Sequence, residues 1–347
     1  MKNIVFILLS SILLWSCTDD DIDYGQTIKE KYKLDYPSYF PPITFDTIRY
    51  PLSKEGIELG RMLFYDGRLS RNNTISCGFC HIQENAFTHH GHTVSHGIDD
   101  RTGIRNAPAI QNVAFLKRFF WDGVHHDIIQ LSISPISSYE EMDSSIGDIV
   151  NKLKQDANYL KMFQNVYGNQ EINGERILGA LGQFMVTMIS SNSKYDQFLK
   201  GEIQLSTLEN KGKQLFENKC STCHEGTLFT DESYRNTGLY YDERYNDGGR
   251  YRVTLDSADF MKFKVPSLRN VELTAPYMHD GRYYTLDAVL NFYRNDIKDY
   301  PNLDESLKQN NRKGITISDE EKEALIAFLK TLTDNKFITN PAYAEFN

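Results

Sequence analysis

Cys77-Gly78-Phe79-Cys80-His81 and Cys220-Ser221-Thr222-Cys223-His224 are two copies of Cys-x-x-Cys-His, and together they use four of the five cysteines in the 347-residue chain. No other feature constrains the fold as much, because this is the spacing by which c-type haem is attached. Two thiols one turn apart can each add to a haem vinyl group, and the histidine that follows ligates the iron. Cys-x-x-Cys pairs also make zinc sites and redox dithiols. Zinc sites usually lack a histidine directly after both pairs, and a thioredoxin-like dithiol needs a βαβ context that the sequence does not display. The cysteine pattern therefore points to two covalently bound haem c groups, the second motif starting 143 residues after the first.

Helical periodicity dominates wherever a period can be read, so the expected fold class is mainly α. Ile177, Leu178, Leu181, Phe184 and Met185 follow one helical face. Ser206 with Glu209 is a capping box opening a helix that runs into the second haem motif, and Ser318 with Glu321 repeats the device ahead of Leu325, Phe328, Leu329 and Leu332, the buried stripe of an expected last helix. Gly60-Arg61-Met62-Leu63-Phe64 precedes the first motif and Gly212-Lys213-Gln214-Leu215-Phe216 the second. Each half thus has a Gly-basic-x-Leu-Phe helix leading into its haem loop. Two tandem cytochrome-c-like domains with long loops account for this, at residues 49–202 and 203–347.

Upstream, Met1-Lys2-Asn3 is followed by an apolar run from Ile4 to Trp15 and then by Ser16-Cys17. That run is too short to span a bilayer and reads as an export signal over residues 1–17. Leu14-Trp15-Ser16-Cys17 resembles a lipobox, which would make Cys17 a lipidated first residue. Residues 18–48, with Thr18-Asp19-Asp20-Asp21 at their head, read as a polar, Tyr- and Pro-rich tether outside the packed domains. An acidic run after a lipidated cysteine also resembles a surface-export signal. With 47 acidic against 38 basic residues, the chain has no charge balance for nucleic acid and suits a basic electron donor.

Several motifs in order make a resemblance specific. Leu59-Gly60-Arg61-Met62-Leu63-Phe64-Tyr65-Asp66-Gly67-Arg68-Leu69-Ser70, Arg105-Asn106-Ala107-Pro108, Phe120-Trp121-Asp122-Gly123 and Glu141-Met142 lie in the first half. Phe263-Lys264-Val265-Pro266-Ser267-Leu268-Arg269-Asn270 and Pro276-Tyr277-Met278-His279-Asp280-Gly281 lie in the second. From about residue 51 to 335 the chain resembles the bacterial di-haem cytochrome c peroxidase and MauG family. The resemblance implies hydrogen peroxide as substrate and a small cytochrome c or cupredoxin as electron donor. It also implies a periplasmic location, because bacterial c-type haem is attached outside the cytoplasmic membrane. A lipid anchor through Cys17 fits that location; the membrane face and any homodimer stay open.

By the same resemblance His81 is the proximal ligand of a peroxidatic haem and His224 that of an electron-transfer haem. Glu141 matches the distal carboxylate that moves protons between the peroxide oxygens, a task suited to a group that can accept and return a proton; its neighbour Glu140 is the alternative. Trp121 resembles the aromatic residue between the haems that assists electron transfer, although a tryptophan there also serves as core. Gln130 is the candidate for a distal glutamine but falls one residue early, which puts Leu131 at the expected position. Val124 departs from the pattern as well.

His96, in Ser95-His96-Gly97, resembles the histidine that caps the reactive iron and leaves on partial reduction; His89, His90 and His92 are its competitors. At the second haem the family's sixth ligand falls fourteen residues after His279, at Tyr293, where most members have Met and MauG has Tyr. A tyrosinate would lower the potential that a Met raises. Met278 and Met261 are the alternative ligands. Asn106, Thr274 and Pro276 match the protein ligands of an interdomain calcium ion, the last two through backbone carbonyls; without the resemblance Asn106 reads as a turn residue. The competing activity is a MauG-like oxidase that holds a high-valent di-haem state and acts on a partner protein or small molecule. Tyr293 favours it and His96 opposes it. A pure electron carrier would have no use for Glu141.

Overall fold

The computed structural model describes residues 31–309 and 312–346. The expected export signal, with Cys17, and the head of the expected tether lie outside the described residues. Helix carries the architecture: α1 (Lys54–Tyr65), α2 (Cys77–Cys80), α3 (Ile128–Leu131), α4 (Ile133–Ser137), α5 (Ile146–Leu153), α6 (Ala157–Tyr167) and α7 (Gly174–Val186) in the first half. After them come α8 (Lys194–Leu199), α9 (Thr207–Lys219), α10 (Tyr251–Thr254), α11 (Leu286–Asn291), α12 (Asp319–Lys330) and α13 (Asn335–Ile338). Strand among the described residues is limited to two antiparallel ladders of two residues a side. β1 (Tyr234–Arg235) pairs with β2 (Phe263–Lys264), and β3 (Lys308–Gln309) pairs with β4 (Arg312–Lys313). The mainly α expectation holds.

The two halves repeat one packing device. In the first, α1 crosses α7; in the second, α9 crosses α12. A Cβ on Gly60 would strike the backbone carbonyl of Ala180 and the Cβ of Phe184, and a Cβ on Gly212 would strike the carbonyl of Ala324 and the Cβ of Phe328. The glycine in each Gly-basic-x-Leu-Phe helix therefore lets two helix backbones meet, which no other residue permits. Both expected capping boxes are present with both arms: Ser206 with Glu209, and Ser318 with Glu321. Each satisfies two amides that the helix start leaves unpaired.

Three details differ from the sequence expectation. First, α7 is buried all round from Arg176 to Val186 rather than on one stripe. It lies among α1, α3 and the Tyr50 segment, and its one cation, Arg176, donates through one terminal nitrogen to Asn169 Oδ1 at 2.6 Å and the Glu171 carbonyl at 2.7 Å. Second, the later part of the expected tether is packed. Leu34, Phe40 and Phe45 belong to the core, Phe40 and Tyr36 meet the Phe115 ring edge-on, and Thr44 donates its amide to the Ala114 carbonyl at 2.8 Å. The apolar side chains among the tyrosines and prolines have area to bury, which a polar tether lacks. Third, α12 is not the last element. The stretch 335–346 returns to the first half, where Phe337 and Tyr343 join its core.

A buried ion pair ties the halves together. Arg269 donates to Asp196 through two nitrogens at 2.9 Å each, and both side chains are essentially inaccessible. Tyr39 donates to the same carboxylate at 3.0 Å, and Phe40 lies under the guanidinium at 4.6 Å.

Candidate di-haem site

Ser76 caps α2 through its side chain, so Cys77 and Cys80 sit at the two ends of a single turn and His81 leaves it at the C-cap. Gly78 is required there because the Tyr65 ring occupies the space a Cβ would need. In the second half α9 runs straight into the motif, with Cys220 as its C-cap. Both histidines donate an amide hydrogen bond at 3.0 Å to the carbonyl of the first cysteine of their motif, so the two motifs have the same backbone turn.

All four cysteines and both histidines line one continuous cavity of about 850 Å³. Phe64, Ile75, Val113 and Met185 form apolar wall in the first half, and Val271, Leu290, Leu325 and Leu329 do so in the second. The thiols are free and partly buried. Burial pushes Cys77, Cys80 and Cys220 up to about 12 and raises Cys223 as well, a cost removed once the sulfurs become thioethers. His81 Nδ1 meets the Phe87 carbonyl at 2.8 Å, and His224 Nδ1 meets the Phe229 carbonyl at 3.0 Å. As Nδ1–H donors both rings have Nε2 left as the metal-binding nitrogen. Burial lowers the pKa of both and keeps them neutral, as ligands must be. Arg118, Arg235, Arg252 and Lys264 also line the cavity, cations suited to haem propionates. The donor set, the shape and the charges fit two haem c groups.

Glu141 lines this cavity and is mostly buried, whereas Glu140 is exposed at its rim. Its carboxylate is close enough to Cys80 to act on that thiol electrostatically, which places it beside the first motif. Burial raises its pKa, the Ser95 hydroxyl lowers it by hydrogen bonding, and Glu140 raises it further; the net shift is upward. Trp121 lines the cavity and is bonded to both halves, its Nε1 donating to the Asn106 carbonyl at 2.9 Å while its own carbonyl accepts from Lys264 N at 2.7 Å. Tyr293 lines the second half of the cavity from a π-helical turn (Phe292–Asp296) that follows α11. Such turns are rare and concentrate at functional positions. Burial and the Cys223 and Cys220 sulfurs raise its phenol well above the ordinary value. Met278 lines the cavity too, but Met261 is packed away with Phe292 and Leu239.

Two expected site residues are elsewhere. Gln130 is exposed on α3 and does not line the cavity, while Leu131 does; one residue along a helix is a rotation of about 100°. His96 also points away. Its ring faces Asp100, with Nε2 to Oδ1 at 3.4 Å, and stacks on His92, which stacks in turn on His89. None of the four histidines from His89 to His96 lines the cavity, although Thr88, Ser95 and Gly97 do. The loop turns through left-handed residues at Asp99 and Asp100 just beyond it.

Asn106, Thr274 and Pro276 are all brought to the cavity wall. Asn106 donates its side-chain amide to the His92 and Thr93 carbonyls at 3.2 Å each, and its backbone amide to the His279 carbonyl at 2.6 Å. No group of three His, Cys, Asp or Glu side chains suited to a metal ion occurs among the described residues.

Sequence reasoning gave no role to three further residues of the wall. Arg105 bridges Asp122 of the first half and Asp247 of the second at 2.6 Å each. His279 is buried, stacked on Phe263 at 3.7 Å, and burial lowers it to about 4. Lys264 lies deep in the cavity, its pKa lowered by burial, with no ion-pair partner among the described residues. All three lie inside quoted motifs, which was the available signal.

Residues 54–204 match the family model "Di-haem cytochrome c peroxidase" and residues 209–333 the model "Cytochrome c". The chain is 34% identical over 288 residues to the methylamine utilization protein MauG of Methylorubrum extorquens, covering 81% of this chain and 79% of that protein. It is 35% identical over 292 residues to the cytochrome c551 peroxidase of Nitrosomonas europaea, covering 82% of each. The crystal structure of a MauG-like protein associated with microbial copper homeostasis superposes with a TM-score of 0.82 at 34% identity, over 90% of this chain and 99% of that one. With two haem motifs on one cavity and two matched haem domains in tandem, the chain belongs to the di-haem cytochrome c peroxidase and MauG family.

Proposed function

We propose that this protein reduces hydrogen peroxide to water in the cavity beside His81, with electrons delivered on the His224 side. The observation that carries this reading is Glu141, a mostly buried carboxyl with a raised pKa beside the first haem motif. The reaction consumes two electrons and two protons per peroxide and yields two waters. When bound, the haems supply a site for peroxide and the electron storage and transfer. Glu141 takes the proton of one peroxide oxygen and returns it to the other, so that the departing oxygen leaves as water. Trp121, on the cavity wall and bonded to both halves, connects the electron input to the site of reduction, and Tyr293 sets the potential on the input side. The electron donor is a small cytochrome c or cupredoxin. Asn106 with the Thr274 and Pro276 carbonyls holds a calcium ion across the halves. The location is periplasmic with a lipid anchor at Cys17; no helix among the described residues is long and apolar enough to cross a membrane.

A second reading is a MauG-like oxidase of a partner protein or small molecule. Tyr293 on the cavity wall and the outward His96 ring favour it. Stopped-flow absorbance of the haem-loaded protein, mixed with peroxide before and after one-electron reduction and with a reduced cytochrome as reporter, separates the two. Donor oxidation on every turnover supports the peroxidase. A long-lived oxidised form of the fully ferric protein with little donor oxidation replaces it with the oxidase.

A further inference from the structure

We propose that the stretch 335–346 is a positioning element for the proximal ligand of the first haem, acting through Gln83 and Phe87 on the hydrogen bond of His81. The inference rests on haem attachment at His81 and His224 and holds for either reaction above.

The hydrogen bond from His81 Nδ1 to the Phe87 carbonyl, 2.8 Å, governs how much imidazolate character the ligand has, and hence how strongly it stabilises ferric iron. The carbonyl belongs to a strained piece of chain. Ala86 and Phe87 both have positive φ, 53° and 62°, and two consecutive non-glycine residues in that region persist only where the surroundings hold them. The second motif has the same arrangement: the Phe229 carbonyl accepts from His224, and Phe229 has φ 55°. What holds the phenylalanine differs. The Phe229 ring is enclosed by Tyr195, Phe216 and Phe328, the last two from α9 and α12 of its own half.

Phe87, fully buried, meets Phe64 of α1, but two of its ring partners, Phe337 at 5.5 Å and Tyr343 at 6.3 Å, come from the returning stretch. Gln83 fastens that stretch by donating from Nε2 to the Asn340 carbonyl at 2.8 Å and the Phe337 carbonyl at 3.3 Å. On the other side of the motif Tyr65, whose ring covers Gly78, donates to the Tyr343 carbonyl at 2.6 Å. The origin of the stretch is itself fixed. Asp334 accepts from the amides of Ser191 and Asn192 at 3.0 and 2.8 Å, and its own amide donates to Asn270. The proximal side of the first haem is thus completed by chain that continues from the second half, whereas at the second haem the Phe229 ring rests on α9 and α12 of its own half and, from the other half, on Tyr195 of α8.

The test uses the haem-loaded protein and reads each haem separately. In Gln83→Glu the donor facing two carbonyls becomes a carboxylate that repels them. The His81–Phe87 hydrogen bond should loosen, so the potential of the first haem moves upward and the Fe–His band of the reduced protein moves to lower frequency. The potential and the spectrum of the second haem should stay in place. Gln83→Lys, which keeps a donor, should behave as the parent, and a chain ended after residue 334 should shift in the direction of Gln83→Glu if it loads haem. Equal shifts at both haems, or no shift at the first in Gln83→Glu, would overturn the proposal. Peroxide turnover is not a readout, so an error in the proposed reaction leaves this test intact.

Discussion

Glu141 combines two opposed influences: burial that favours its neutral form and a Ser95 hydroxyl that favours the carboxylate. A base with a raised pKa is protonated at higher pH than an ordinary glutamate, so turnover should fall on the acid side as pH drops through that raised value. Glu141→Gln should lower peroxide turnover about 10²- to 10⁴-fold with haem absorbance unchanged. Ser95→Ala should keep turnover at high pH but move the acid limb of the pH–rate profile upward, because the carboxylate loses its donor. Tyr293→Met should raise the potential of the second haem in a redox titration if the tyrosine is its ligand; an unchanged potential assigns that place to Met278. At this scale the sequence carried much of the site. The two haem-attachment motifs were legible from spacing and Glu141 from the family resemblance, and counting already put Leu131 where a glutamine was sought. The direction of His96 was not legible, since its ring is placed by contacts with Asp100 and His92 in an irregular loop that no periodicity announces.

Helix starts were readable because a capping box is a local signal four residues long, and both boxes formed where Ser206 and Ser318 stand. Helix crossings were not. The glycines of the two Gly-basic-x-Leu-Phe helices are visible in the sequence, but their partners, the backbones of Ala180 and Ala324, lie more than a hundred residues further on. Gly60→Ala and Gly212→Ala should each cost about 1–3 kcal/mol or more, since the atoms in the way are backbone and cannot rotate aside. Urea denaturation of the haem-loaded variants measures the loss, and equal losses in the two would show that the crossings are equivalent as well as similar. The π-helical turn that presents Tyr293 was hidden for a related reason: a one-residue irregularity leaves the apolar pattern of α11 nearly intact.

At the level of the whole molecule the halves are joined by buried contacts that are distant in sequence and were not foreseen. Leu34, Phe40 and Phe45 pack where a loose tether was expected, and Arg269 meets Asp196 across the halves. Burial alone would raise Asp196, but the hydrogen bonds and charge of Arg269, with Ser193, hold it below the ordinary carboxylate value. A depressed carboxyl contributes stability that is complete above its unfolded pKa of about 4 and is lost as pH falls through the folded value. Asp196→Asn should therefore cost about 3–5 kcal/mol near neutral pH by leaving Arg269 buried without its counter-charge. The gap in melting temperature between variant and parent should narrow as pH falls below about 4. A gap that stayed constant with pH would show that the pair contributes by packing alone.

The shared cavity has a consequence for how this protein would endure dilution. A cofactor held by affinity alone stabilises its protein in proportion to the logarithm of its free concentration, and the benefit drains away as the solution thins. Here the four cysteines that line the cavity would make each haem part of the covalent chain, so the ligand and its pocket can never be separated by mass action. Melting behaviour then becomes a property of the single molecule, the same in a concentrated solution and in an infinitely dilute one.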